Sequence, residues 1–216
     1  MYYRNPIKMV EVVGDQIGLA VKELEKLSEF REEALRRSRK WLSIARSSIL
    51  DARRMKNLND IERNLMEILE EVKLFLSEVE TKLGPSSCLV RYALQDPLQE
   101  LVEGIALCRL LMGEGVPSHV ELGIGAREYL LGVSDAVGEL RRVALDCMKR
   151  GDFERAESLV ELMERIYEGM SSTAFPDSLI PLRKKVDEAR ILIEKTLSEL
   201  IFVKAGRRGG SGGSEG

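Results

Sequence analysis

The 216-residue sequence predicts an all-α fold, an elongated up-down helical bundle of about six helices with a very long first helix. Three observations carry this expectation. Aromatic residues are only 5% of the chain and prolines number 6, so strand formers and helix breakers are both scarce. Apolar residues between the punctuating segments recur at helical period. No proline interrupts the chain between Met9 and Arg54.

The first helix is read over about Met9 to Arg54. Ile17, Val21, Leu24, Leu27, Phe30, Ala34, Trp41, Ile44, Ala45, Ile49 and Ala52 step mostly by three or four, which puts them on one face. Such a rod spans roughly 65–70 Å, too long to pack only within one small bundle. The stretch 57–60 (NLND) breaks the pattern, and Asn59 or Asp60 is placed to cap a second helix ending near Leu83. Its inward residues are Ile61, Leu65, Ile68, Leu69, Val72, Leu76 and Val79. Gly84-Pro85-Ser86-Ser87 stops it.

A third helix is expected over about Ser87 to Met112, kinked or restarted at Asp96-Pro97. Its second half, LVEGIALCRLLM, is apolar nearly all round and belongs at the centre. After a loop, a fourth helix runs from about Ala126 to Lys149 and ends at Gly151. Asp152 caps a fifth, about Phe153 to Met170. A sixth covers about Ser178 to Val203, with a narrow seam of Leu179, Leu182, Val186, Ala189, Ile193, Leu197 and Leu200. Residues 1–204 form a single helical domain in this reading, and the Gly/Ser-rich residues 205–216 a flexible tail.

Composition narrows the function classes. Net charge is -3, so nucleic-acid binding would need a local basic patch, not the field of the whole molecule. Cys88, Cys108 and Cys147 have no CxxC spacing and read as buried apolar thiols. His119 stands alone in a loop, so a zinc site is not expected. No segment reaches the ~20 apolar residues of a membrane span, and the N-terminus lacks a signal-peptide pattern. A soluble, cytoplasmic protein with no membrane partner is expected.

No GxSxG, Cys/His or Ser/His/Asp set is present, and Gly123-Ile124-Gly125 is too short for a phosphate loop. The reactive groups must be carboxylates, lysines or arginines. Most acidic pairs, such as Glu67/Glu70, Glu154/Glu157, Glu157/Glu161 and Glu161/Glu164, read as solvated faces. Two pairs differ. Glu100 and Glu103 lie about 60° apart on a helix, at the edge of a face that continues into Leu107, Leu110 and Leu111. Burying two like charges there needs a divalent cation or a basic side chain.

Asp135 and Glu139 share a stripe with Glu128, Gly132, Arg142 and Asp146, opposite Val133, Ala136, Leu140, Val143 and Ala144. Periodicity alone reads that stripe as a solvent face. Gly132 and Gly138 argue against it, because glycine within a helix costs about 1 kcal/mol against alanine unless something approaches closely. If the third and fourth helices cross there, four carboxylates converge, a hard oxygen set suited to Mg²⁺ or Mn²⁺.

The stretch EYLLGVSDAVGELRR, Glu128 to Arg142, resembles the signature of the translin and translin-associated factor X (TRAX) family. KRGDF (Lys149–Phe153), YEGM (Tyr167–Met170), LRKKV (Leu182–Val186) and REEAL (Arg31–Leu35) extend the resemblance from about Met9 to Val203. LQELVEG, Leu98 to Gly104, is similar to the TRAX version, in which both glutamates occur. The resemblance implies catalytic, metal-holding acids at Glu100, Glu103, Asp135 and Glu139, and an Mg²⁺-dependent endoribonuclease using Mg²⁺ or Mn²⁺. It also implies a hollow homo-oligomer, hexamer to octamer, enclosing RNA or single-stranded DNA, with RNA-binding Arg31 and Arg91. One departure stands beside Arg91: Ser87 and Leu89 replace the histidines of translin. The competing readings are a non-catalytic RNA- or DNA-binding shell of the translin type and a purely structural helical oligomer.

Overall fold

The computed structural model describes residues 6–210, with side chains over residues 13–206. The described residues are helical with no strand, as expected. Helix α1 (Pro6–Ala52) is 47 residues long, about 70 Å at the helical rise. Its core stripe is Leu27, Ala34, Trp41, Ala45, Ile49 and Ala52. Residues 13–26 are all exposed, so the stripe begins at Leu27 and not at Ile17, Val21 or Leu24. The other helices leave those three largely uncovered.

Helix α2 (Leu58–Leu83) buries Leu65, Ile68, Leu69, Val72, Phe75, Leu76 and Val79. Its cap is Asn57, in the left-handed region at φ 54° and without a side-chain cap bond, not Asn59 or Asp60. Asparagine tolerates that conformation better than most residues, so the chain turns two or three residues earlier than capping preference alone suggests.

A 3₁₀ turn at Gly84–Ser87 leads into α3 (Cys88–Tyr92), followed by α4 (Gln95–Met112). The expected third helix is thus two, and the restart falls at Asp96-Pro97. Pro97 lies in the first turn of α4, where a missing N–H leaves no helical bond unmade. α5 (His119–Leu122) is a short helix inside the expected loop, held by a Ser118/Glu121 capping box.

α6 (Ala126–Arg150) ends at Gly151, φ 80°. α7 (Phe153–Ser171) starts at Asp152, whose side chain accepts from the Arg155 amide. α8 (Leu182–Gly210) begins four residues later than Ser178, because Pro181 disfavours a helical residue before it. It continues through Gly210, past the boundary that the Gly/Ser composition suggested, and residues 211–216 lie outside those described. Its seam holds from Leu182 to Leu200, but Leu179 is 60% exposed.

α4 is the central helix. It packs on α1, α2 and α6, and α6 in turn packs on α7 and α8. Leu101, Val102, Ile105, Ala106, Leu107 and Cys108 are fully buried. At about 25 cal/mol per Å² of apolar area, this all-round burial makes α4 a large contributor to stability. Cys147 is buried too, but Cys88 opens α3 exposed, against the expectation of three buried thiols. No helix among the described residues is long and apolar enough to cross a membrane.

Candidate functional site

The site is built where α4 crosses α6. Gly132 makes the crossing close: a Cβ there would meet the Gln99 carbonyl oxygen at 2.5 Å and Val102 Cβ at 2.7 Å. The glycine signal in the sequence was therefore real at Gly132. It was not at Gly138, where a Cβ would meet nothing within 4 Å. The close crossing also corrects the solvent-face reading of the α6 stripe, since Glu128 and Glu139 are each 7% exposed.

Both acidic pairs meet at this crossing. Glu103 is 9% exposed and, among the described residues, has no hydrogen bond or ion pair. Burial, then repulsion from Asp135, Glu100 and Glu139 in that order, pushes its carboxyl up to about 8. All four sequence-identified acids are thus electrostatic neighbours. Glu67, Glu70, Glu154 and Glu161, by contrast, are exposed as expected.

Basic and amide side chains hold the other three carboxylates. Arg46, on α1, reaches Glu100 Oε1 at 2.9 Å. Lys185, on α8, contacts Asp135 Oδ1, and Gln99 Nε2 donates to Asp135 Oδ2 at 2.6 Å. Glu139 is paired with Arg53, just past α1, and with Arg142 at 3.2 Å. The Arg53–Glu139 pair joins Nε to Oε2, two atoms shut off from water. As the side chains stand, no three acidic, histidine or cysteine residues among those described are grouped to hold a metal. Opening such a site requires some of these ion pairs to separate.

Those five partners were not singled out as site residues from the sequence. Arg46 on α1 and Arg53 just past its end are seven residues apart, which is a weak signal in a chain with 33 Lys and Arg. Lys185 lies within LRKKV and Arg142 within the α6 signature, but neither motif assigns a partner.

The two sequence-identified arginines lie elsewhere. Arg31 is exposed on α1. Arg91 is exposed on α3, 3.3 Å from Glu80, and lines a cleft of about 230 Å³ with Lys73, Ser77 and Gly123. His119 is half-buried beside Tyr129, ring centroids 6.0 Å apart, and no acid is bonded to it. Burial pushes the Cys108 thiol up to about 12, so it is no nucleophile at neutral pH.

Comparison with known proteins gives these residues a context. The Translin family model matches residues 13–196. An uncharacterized protein of Methanocaldococcus jannaschii is 30% identical over 196 residues, 90% of this chain and 86% of its own length. The crystal structure of AfC3PO superposes with a TM-score of 0.77 at 37% identity, covering 89% of this chain and 98% of that one. A complex of AfC3PO with duplex RNA gives 0.75 at 36% identity, with coverage of 89% and 98%. Apo-NeC3PO gives 0.74 at 24% identity, covering 87% and 96%, a likeness of fold.

Proposed function

This chain belongs to the Translin family, and from that premise we propose that it is a metal-dependent endoribonuclease, which binds RNA inside a homo-oligomeric shell and cleaves it. The observation that carries the chemistry is Glu103, a buried carboxylate without a partner facing Asp135, Glu100 and Glu139. A protein gains nothing in stability from that arrangement, so its use lies in the charge it can attract.

The donor set fits a hard divalent cation. It consists of four carboxylates, with no thiolate and no imidazole. Glu100, Glu103, Asp135 and Glu139 would hold Mg²⁺ or Mn²⁺, which supplies Lewis-acid polarisation of water and of a phosphate oxygen. The chain's own groups do the positioning. The Gly132 crossing fixes the two acidic pairs against each other, and Gln99 fixes the Asp135 carboxylate by donating to Oδ2. Attack by water on phosphorus with the 3′-oxygen as leaving group spares the ribose 2′-hydroxyl and gives products with 5′-phosphate and 3′-hydroxyl ends.

RNA binding is supported by the AfC3PO complex with duplex RNA, 36% identical over most of this chain. Arg31 and Arg91, both exposed, are the phosphate contacts of this reading. Assembly is supported by the apolar residues that one copy leaves open: Ile17 at 60% and Leu24 at 63% on α1, and Phe202 at 81% on α8. Exposed apolar surface of that extent marks an interaction face.

A second reading has its own observation. Arg46, Lys185, Arg53 and Arg142 already neutralise three of the carboxylates, as in a stable binding protein of the non-catalytic translin type. One experiment separates the two. End-labelled single-stranded RNA and a short duplex are incubated with the purified oligomer in Mg²⁺ and in EDTA. Cleavage only with Mg²⁺ supports the nuclease; binding without cleavage in either buffer leaves the binding shell.

A further inference from the structure

Lys185 stands in the first turn of α8, within the LRKKV motif, and reaches across to α6. Its Nζ contacts Asp135 Oδ1. The pair is sheltered, with the two side chains 27% and 22% exposed. Its charge also acts on Glu103, where it favours the ionised carboxylate against the repulsion of the other acids. Lys185 is therefore bound to Asp135 and also acts, through its charge, on Glu103.

The crossing has no deficit of positive charge even without a metal. Glu100, Asp135 and Glu139 are ion-paired with Arg46, Lys185, Arg53 and Arg142, and the Glu103 carboxyl, pushed up to about 8, holds its proton at neutral pH. A divalent cation entering that group overfills it with positive charge unless a resident cation leaves. Arg46 and Arg142, with side chains 64% and 57% exposed, already lie largely in water, so Arg53 and Lys185 are the sheltered cations of the group. Arg53 holds Glu139 through a planar guanidinium. Lysine is a point charge on a flexible four-carbon stem, which withdraws to water by rotating its own bonds.

We propose that Lys185 is a built-in competitor for the divalent cation: its ammonium covers Asp135 in the metal-free protein and withdraws when the cation binds. It thereby sets the affinity of the site for metal and keeps the four acids from repelling one another while the site is empty. This inference rests on the metal reading above. Lys185 acts through Asp135 and is a positioning residue, not a catalytic one.

The test is a titration of the full-length oligomer with Mn²⁺ alone, without RNA, read by the free-Mn²⁺ resonance signal. Wild type is compared with Lys185→Gln and Lys185→Arg. Lys185→Gln should bind Mn²⁺ about tenfold or more tightly, because a like charge within a few ångströms of the cation has been removed. Lys185→Arg keeps the charge and should bind no more tightly than wild type. A residue that only props up Asp135 predicts the opposite, a loss of affinity in Lys185→Gln. Circular dichroism and light scattering check the fold. Should Lys185→Gln misfold, Lys185→Met retains the apolar stem and carries the same comparison. Mn²⁺ binding by wild type with equal or weaker binding by the uncharged variant overturns the competitor role and leaves the metal reading standing. No Mn²⁺ binding by wild type or either variant overturns both.

Discussion

Gly132 on α6 lies so close to Gln99 on α4 that a methyl group would come within 2.5 Å of the Gln99 carbonyl oxygen. The obstacle is backbone, so no side-chain rotation relieves it. Gly132→Ala should cost about 1–3 kcal/mol in urea melts, the range for overpacking a tight contact. Gly138 on the same helix has open space, and Gly138→Ala should be neutral or stabilising by up to about 1 kcal/mol. Equal stabilities for the two variants would contradict the close crossing.

That pair also shows what the sequence could and could not disclose. Helical period, with Gly151 and Asp152 as punctuation, located α6 and α7 within a residue at each end, and placed the start of α2 two to three residues late. The same period misjudged Ile17, Val21 and Leu24, since a stripe continues along a helix whether or not anything in the same chain covers it. It also read the Asp135–Glu139 stripe as solvent-facing, because charge on a helix face is ambiguous until its neighbour is known. Glycine spacing resolved that ambiguity at Gly132 and gave a false signal at Gly138. The four acids were legible through family resemblance. Their partners Arg46, Arg53 and Lys185 come from other helices, at separations no local pattern encodes.

Glu103 gives the protein a pH dependence of definite sign. Its carboxyl sits at about 8 in the folded chain, against an ordinary value of 4.5. Between those values the folded state holds a proton that the unfolded state has lost. Stability must therefore fall as pH rises through that window and level off above it. In EDTA, the difference in unfolding free energy between wild type and Glu103→Gln should change by on the order of a few kcal/mol from pH 4.5 to pH 8.5. The variant should be the more stable at the high end. A pH-independent difference would mean that Glu103 is not buried among charges.

Assembly should depend on the open part of α1. Ile17 and Leu24 are two turns apart on one face, with Val21, 48% exposed, between them. Light scattering should show six to eight copies of the 24.3 kDa chain. Ile17→Asp with Leu24→Asp should reduce that mass while leaving helix content unchanged, because neither residue belongs to the core. A wild-type monomer at micromolar concentration would remove the shell from the proposal.

Arg31→Ala and Arg91→Ala should each weaken RNA binding. Because the contacts are to phosphate, the loss should be similar across sequences. Each variant should flatten the slope of log affinity against log salt by ~0.7–0.9 per contact. Arg91 separates from Glu80 to make its contact, and an exposed pair at 3.3 Å offers little resistance. Unchanged affinity and unchanged slope would take both residues off the interface.

Cleavage should fail when the acids are removed, with RNA binding intact. In the proposed mechanism the four carboxylates at the crossing act where negative charge develops on phosphate, through the cation they would hold. Asp135→Ala removes the acid shared by Gln99 and Lys185, and Glu103→Ala removes the one carboxylate with no partner to lose. Each should lower the cleavage rate on the order of a hundredfold or more, since a lost metal ligand commonly costs several kcal/mol of transition-state stabilisation. RNA affinity and oligomer size should stay at wild-type values, because the arginines assigned to RNA lie on other elements. EDTA should stop the wild type, and Mg²⁺ or Mn²⁺ should restore it. Product ends should be 5′-phosphate and 3′-hydroxyl; a 2′,3′-cyclic phosphate would show that the ribose hydroxyl is the nucleophile. Full activity in EDTA, or in the variant with Glu100, Glu103, Asp135 and Glu139 all changed to alanine, would falsify the mechanism and leave an RNA-binding shell.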